Sequence, residues 1–454
     1  MKIALIKPTI GTKSGSLYVD EGRMEPLQLG LIASLIPPGD DVVLYDDRME
    51  QIPFDDPADA VMITTETFTA KRAYEIAAEY AKRKVPVIMG GMHAKLSPEE
   101  MAEHCDSLIA GDAENILPQV LEDLKNGALR PVYDCGVADP PQNGSVTRRD
   151  IFAGKGYLPV SLLQFSRGCV HGCKYCAGSV YFDKRHYCRR VEDVIAEIKS
   201  QKRKLLFFVD DNLIANPEKA KELFRALIPL KINWVSQGTV SMVYDNELMD
   251  LIVKSGGLGF VIGFESINPD AISLMGKDVN IKGGAGKYKT EIELLRQWGL
   301  QTWAAFTLGH DTDTVESIKQ TAEWAIRNKF TFAAFNILMP YPKTPLYEKL
   351  AAEGRLLYDG KWWLHDEYRF NHASFLPKNM TPDELTEAAF YCRKKFNSLT
   401  AAAYRMFEPQ TNMRTLKKLI TYWLYNPLFR KEVFKKQGLR LGLKHFGQNG
   451  RGCD

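Results

Sequence analysis

Ser166-Arg167-Gly168-Cys169-Val170-His171-Gly172-Cys173-Lys174-Tyr175-Cys176 places three cysteines on one short loop, spaced C-x-x-x-C-x-x-C. Thiolate ligands select soft metals and iron–sulfur centres over hard cations. A structural zinc site takes four ligands, often as two C-x-x-C pairs, and the chain has no second pair. Three thiolates instead suit a cubane cluster, in which the iron without a protein ligand stays open to another group. The residues just upstream, Leu158-Pro159-Val160-Ser161-Leu162-Leu163-Gln164-Phe165, read as a strand that runs directly into the loop.

Downstream, apolar strand patterns at 205–209, 233–237, 259–264, 302–307 and 333–338 alternate with helical patterns. Repeated strand–helix units with buried strands predict a parallel barrel or partial barrel. Three strand ends carry polar groups. They are Asp210-Asp211-Asn212 after Leu206–Val209, Glu265-Ser266 after Phe260–Phe264, and Thr307 to His310 before Asp311 and a Thr312-Asp313-Thr314 helix cap. Each alone reads equally as a polar strand terminus. His310 suits either proton exchange or capping before Asp311. Arg189 and Arg190 suit either a carboxylate or a solvated helix start.

Upstream, residues 1–130 interleave short apolar strands (3–6, 41–45, 60–64, 85–91, 107–111) with helical patterns at 26–36, 68–83, 97–104 and 114–126. Unalternating strands between helices predict a doubly wound parallel sheet, with ligands beyond the strand carboxyl ends. Those ends are small, polar and glycine-rich: Thr64-Thr65-Glu66-Thr67, Gly90-Gly91-Met92-His93 and Gly111-Asp112-Ala113-Glu114. Residues 131–157, with Pro140-Pro141 and Gly144, read as a linker. The core is expected over 158–345, and a mainly helical segment over 346–454.

The chain has 454 residues, 45% hydrophobic and 25% charged, with a formal net charge of +3. That balance predicts no nucleic-acid partner. Met1 to Pro8 reads as a first strand and not as a signal peptide, and no apolar run is long enough to span a bilayer. A cytoplasmic location follows as the expectation. Cys105, Cys135, Cys188, Cys392 and Cys453 stand apart without cluster spacing, Cys188 nearest to the loop. Trp362 to Phe370 is unusually aromatic and suits docking of the tail or closure over a substrate. Residues 410–445 carry nine Lys or Arg against one acid, Glu432, with interleaved apolar residues. Such a stretch suits an anionic membrane surface, a partner or solvent.

The cysteine loop, including Tyr175, resembles the cluster loop of the radical S-adenosylmethionine (radical SAM) superfamily. The resemblance implies a 4Fe–4S cluster on Cys169, Cys173 and Cys176, and a (β/α)6 partial barrel. It implies SAM contacts from Tyr175, Asp210, Asp211, Asn212, Glu265, Ser266, Thr307 and His310. The first domain resembles the Rossmann-like cobalamin-binding domain found ahead of many such cores. That implies a corrin near Pro8, Thr65, Glu66, Thr67, Gly90, Gly91, His93, Gly111, Asp112 and Glu114. The D-x-H-x-x-G signature of a cobalt-ligating histidine is absent, so His93 is expected in a supporting or packing role. At the Pro342-Lys343-Thr344-Pro345 turn, Lys343 stands where the family commonly has glycine.

The family's chemistry implies a 5′-deoxyadenosyl radical that takes hydrogen from carbon, followed by methyl transfer from methylcobalamin to a small-molecule or lipid-like substrate. A one-electron donor such as flavodoxin or ferredoxin is implied as partner. The alternatives are a cyclase or oxidoreductase using cobalamin as an electron relay or lacking it, and a non-enzymatic redox or light sensor.

Overall fold

A computed structural model describes residues 1–13, 16, 17, 23–136, 146–280 and 287–443. Cys453, Pro140, Pro141 and Gly144 lie outside them. In chain order the strands are β1 (Lys2–Lys7), β2 (Gly11–Lys13), β3 (Ser16–Leu17), β4 (Asp41–Asp46), β5 (Ala60–Thr64), β6 (Val87–Gly90), β7 (Ser107–Gly111) and β8 (Val132–Gly136). There follow β9 (Ser161–Leu163), β10 (Ser166–Gly168), β11 (His186–Cys188), β12 (Leu205–Phe208), β13 (Asn233–Gly238), β14 (Gly257–Glu265), β15 (Gln301–Leu308), β16 (Phe332–Ile337) and β17 (Arg440–Leu441).

The first sheet runs β4-β1-β5-β6-β7-β8, all parallel. Strands β5 and β7 are buried at every residue, which is what a sheet covered on both faces requires. Residues 132–136, read as linker, form the edge strand β8, paired with β7. Their alternation is too short and too polar to announce a strand, and only the open edge of β7 recruits them.

The second sheet runs β16-β15-β14-β13-β12-β9, also all parallel. Helices cover its outer face. Phe224 stacks on Trp234 at 4.9 Å, and Trp324 meets Phe264 and Phe306 edge-on at 6.1 Å. Trp303, Ala305 and Thr307 share the opposite, concave face of β15 by the two-residue period. At its lower end, Phe429 of helix Leu416–Lys436 packs on Trp303 (4.6 Å) and Phe332 (5.1 Å) and closes the bottom of the partial barrel.

Beyond β16 the chain is mainly helical, with one exception. Strand β17 pairs antiparallel with β2, tying the C-terminal segment to the N-terminal domain. The aromatic stretch reinforces that tie. Trp362 is fully buried, packs on Phe68 at 4.8 Å and donates to the Pro340 carbonyl at 3.0 Å. Trp363 donates to Glu100 Oε1 at 2.8 Å. These rings dock the tail on the first domain rather than on the barrel alone. No described helix is long and apolar enough to cross a membrane.

Candidate active site between the two domains

The cysteine loop leaves β10, which pairs with β11 as a two-stranded ribbon at the carboxyl end of β9. Gly168 turns the chain into the loop at φ +77°, and a Cβ there would stand 2.2 Å from the Arg185 carbonyl oxygen. Only glycine satisfies both conditions. The loop is stapled further on, where Lys174 N donates to Met275 O at 3.0 Å and Leu346 N to Lys174 O at 2.9 Å. Burial pushes the Cys173 thiol up to about 11. Among the described residues no three His, Cys, Asp or Glu side chains converge as ligands of one metal ion. A cubane does not require such convergence, because each thiolate holds its own iron. Cys188 lies opposite Ser166 in the ribbon, and burial first, then the charge of Asp210, pushes its thiol up to about 11.

Two groups of strand-end residues hold this loop. The first comes from the end of β12. Asp210 is fully buried and accepts from Phe165 N at 3.1 Å, from Ser166 Oγ at 2.5 Å and from Ser166 N. Its oxygens are thus occupied by the entry to the loop. Burial raises its pKa to about 7, against the pull of these donors. Asp211, exposed, accepts from Gly168 N at 3.0 Å. Asn212 points Nδ2 at Cys169 Sγ, 3.8 Å away, while its buried Oδ1 has no protein partner. Asp210 therefore acts as a buckle of the loop, while Asp211 and Asn212 keep groups directed at the loop and its surroundings.

The second group comes from β14 and β15. Glu265 sits at φ +64°, beside a register shift against β15. Lys277 Nζ donates to its Oε1 at 2.5 Å, Thr307 Oγ1 donates to Oε2, and the Tyr175 hydroxyl hydrogen-bonds it as well. Burial opposes its charge, but Lys277 first and these hydrogen bonds outweigh it and lower its pKa. Ser266 is buried and its Oγ accepts from Asn268 N at 3.0 Å. His310 is buried with Nε2 unpartnered, and burial lowers its pKa, favouring the neutral imidazole. The cap of this turn is Asp313, whose Oδ2 accepts from Gly309 N (2.8 Å) and His310 N (3.0 Å), while Asp311 pairs with Lys349 and Arg355.

Facing the loop, a cavity of about 680 Å³ opens between the domains. Its sheet-domain wall includes Glu66, Thr67, Gly90, Gly91, Gly111, Asp112 and Glu114. Its other wall includes Gln164, Val209, Tyr341 and, beyond the third cysteine, Ala177, Tyr181 and Phe182. Leu31, Ile32, Ile88 and Leu117 supply apolar lining. Arg167 bridges the walls. It pairs with Asp112 at 2.9 Å and with Glu114, and Tyr181 donates to Asp112 at 3.0 Å. Arg189 also reaches the cavity, buried and paired with Glu197 at 2.8 Å, whereas Arg190 is exposed and pairs with Asp193.

Three expected corrin contacts do not line this cavity. Pro8 is buried where the chain leaves β1 toward β2. Thr65 is fully buried, its backbone bonded to Gly90 O and to His93 N. His93 is fully buried with its ring nitrogens at Thr67 (3.2 Å) and Glu100 (3.3 Å), behind the wall. No histidine lines the cavity among the described residues. Sequence reasoning missed Arg167, Lys277 and Tyr341. Only the acid partners of Arg167 stood in recognisable motifs. Lys277 and Tyr341 carried no local signal.

The radical SAM superfamily model matches residues 163–325. The chain is 28% identical to a bacteriochlorophyllide d C-12(1)-methyltransferase of Chlorobaculum tepidum, over 89% of each chain. It is 27% identical to the C-8(2)-methyltransferase of the same organism, over 95% of this chain and 96% of that one. Among solved structures, the cobalamin-dependent S-adenosylmethionine radical enzyme OxsB with aqua-cobalamin bound shares the fold. It has a TM-score of 0.65 at 14% identity, covering 95% of this chain and 71% of that one. Residues 163–325 thus match the radical SAM superfamily, and the chain shares its two-domain fold with OxsB over 95% of its length.

Proposed function

We propose that this enzyme is a cobalamin-dependent radical SAM methyltransferase acting on an unactivated carbon of a small-molecule or lipid-like substrate. One arrangement carries the reading: a cavity whose walls are the glycine-rich strand ends of the first domain and the flank of the three-cysteine loop. Cys169, Cys173 and Cys176 would hold the cluster, with Tyr175, Glu265, Thr307 and Asn212 arrayed around SAM. When bound, the cluster and SAM supply a hydrogen-abstracting radical, and the corrin supplies a methyl group.

The cavity residues suit a corrin. Gly90 and Gly91 present bare backbone, and the apolar lining suits the macrocycle's rim. Among the described residues no histidine lines this wall. Lys277 and Thr307 keep Glu265 ionised and fixed, a ready acceptor for an ammonium or hydroxyl group. Arg167 holds the walls at a set separation, and the half-buried aromatic Tyr341 limits water between loop and cavity. The relatives that methylate bacteriochlorophyllides favour a flat, apolar substrate class here too. A reduced electron carrier, such as flavodoxin or ferredoxin, would be required.

The test starts with oxygen-free purification, reconstitution with iron and sulfide, and addition of hydroxocobalamin. About one retained corrin per chain is expected by absorbance. With SAM and reductant, a methyltransferase yields both 5′-deoxyadenosine and S-adenosylhomocysteine. Retained cluster without corrin would defeat the methylcobalamin reading, and 5′-deoxyadenosine alone would favour a cyclase or oxidoreductase.

A further inference from the structure

The N-terminal ends of the barrel strands form a face quite unlike the catalytic end. Helix Leu416–Lys436 lies across it, anchored by Lys418 Nζ to Gly299 O just before β15. Before β16, Lys329 Nζ donates to Phe407 O at 2.5 Å, and Thr331 Oγ1 to Asn412 Oδ1 at 2.6 Å. The inward residues of the helix are spent on packing: Phe429 on Trp303, and Tyr422 hydroxyl on Ala402 O at 2.6 Å. The outward ones are not. Leu416, Ile420 and Leu424, one per turn, are 73%, 50% and 66% exposed, with Trp423 beside them. Trp423 Nε1 reaches Met406 Sδ at 3.1 Å, so the end of the neighbouring helix adjoins this stripe, adding exposed Phe407 (57%) and Met413. Single exposed apolar residues need no explanation, but a contiguous group does.

Charge surrounds the stripe. Helix residues 416–436 contain six Lys or Arg against Glu432 alone. Lys417 and Lys431 are exposed and make no ion pair among the described residues. The loops that enter the other barrel strands lie at the same end and are basic as well. Lys202 and Lys204 precede β12, Lys231 precedes β13 and Arg327 precedes β16, all exposed, while Lys254 before β14 pairs with Asp250 at 2.7 Å. Exposed Ile228 and Val253 stand among them.

From this geometry we infer that the base of the barrel is a docking face for an anionic lipid bilayer, with the Leu416–Ile420–Leu424 stripe and Trp423 entering the headgroup region. Basic side chains around an apolar stripe with a tryptophan are the pattern of an interfacial helix. Two other occupants fit worse. A second copy meeting through the same face would set cation against cation. An acidic electron carrier would stand at the wrong end, since the eight-residue strand β15 separates this face from the cysteine loop by roughly 25 Å. Docking here turns the catalytic mouth away from the bilayer. It therefore anchors the enzyme without requiring that the substrate be a lipid.

The test is flotation of the full chain with phosphatidylcholine vesicles, with and without phosphatidylglycerol. Binding is expected only with phosphatidylglycerol, falling with added salt. Lys417→Glu with Lys431→Glu should weaken it by about fivefold for each positive charge lost. Leu424→Ser should weaken it by about tenfold, with circular dichroism unchanged because these side chains are exposed. No binding to either vesicle, equal binding to both, or binding unaffected by the variants would overturn the inference. So would a dimer by light scattering that Leu424→Ser dissolves, because a second copy would then occupy the face.

Discussion

At the residue scale, the site depends on a few positions whose backbone or side chain has no substitute. Gly168 combines a left-handed φ of +77° with a Cβ position 2.2 Å from a carbonyl oxygen. Gly168→Ala should cost about 2 kcal/mol and, by moving Cys169, lower the iron bound per chain after reconstitution, as read by iron analysis and visible absorbance. Lys343 is the converse case. It adopts φ +61° where a glycine would be relaxed, and its Nζ donates to Lys95 O at 3.2 Å. The glycine conformation is thus kept by a lysine that also ties the barrel to the first domain. Glu265 likewise holds φ +64°, secured by Lys277, Thr307 and Tyr175. Strain maintained at a site by its surroundings is a mark of function.

At the element scale, the C-terminal segment is fastened to the first domain through Glu100. This carboxylate takes hydrogen bonds from Tyr74 (2.9 Å) and Trp363 (2.8 Å), faces His93 at 3.3 Å and pairs with Lys361 at 3.2 Å. Burial opposes its charge, but His93, Trp363 and Tyr74 outweigh it and hold its pKa at about 2. The folded value lies below the unfolded one. Its stabilisation is therefore complete above about pH 4.5 and fades as pH falls toward 2. Glu100→Gln should lose about 2 kcal/mol at neutral pH and flatten that acid slope, measured by urea unfolding at neutral pH and at about pH 4. An unchanged slope would show that Glu100 does not govern the tail's docking.

At the scale of the whole molecule, Arg167 is the joint between cluster loop and sheet domain. Arg167→Met leaves Asp112 and Glu114 buried without a cation, a loss of about 3–5 kcal/mol. It should split thermal unfolding into two transitions and reduce corrin retention. Adding Asp112→Asn and Glu114→Gln to Arg167→Met should recover much of the stability but not the corrin, since the walls would remain unclamped. Bound hydroxocobalamin at a hundredfold excess over its Kd should stabilise the intact protein by about 2.7 kcal/mol. A single shifted transition by calorimetry would place the ligand across both domains. A shift confined to one of two transitions would assign it to a single wall.

Much of this was legible in the chain itself. The C-x-x-x-C-x-x-C spacing, the buried strands 60–64 and 107–111, and the polar ends after Val209, Phe264 and Phe306 determined two parallel sheets and the end at which chemistry sits. Local periodicity suffices for that, because strand, helix and turn preferences act over a few residues. Tertiary structure alone decided which groups meet. Arg167 finds Asp112 across 55 residues of chain, and β17 finds β2 at the other terminus. The same holds for direction. Pro8, Thr65 and His93 belong to the right strand ends yet face away from the cavity, and Asp210 turns inward to fasten the loop. A side chain's direction depends on small rotations set by packing against distant neighbours, and no local pattern encodes them.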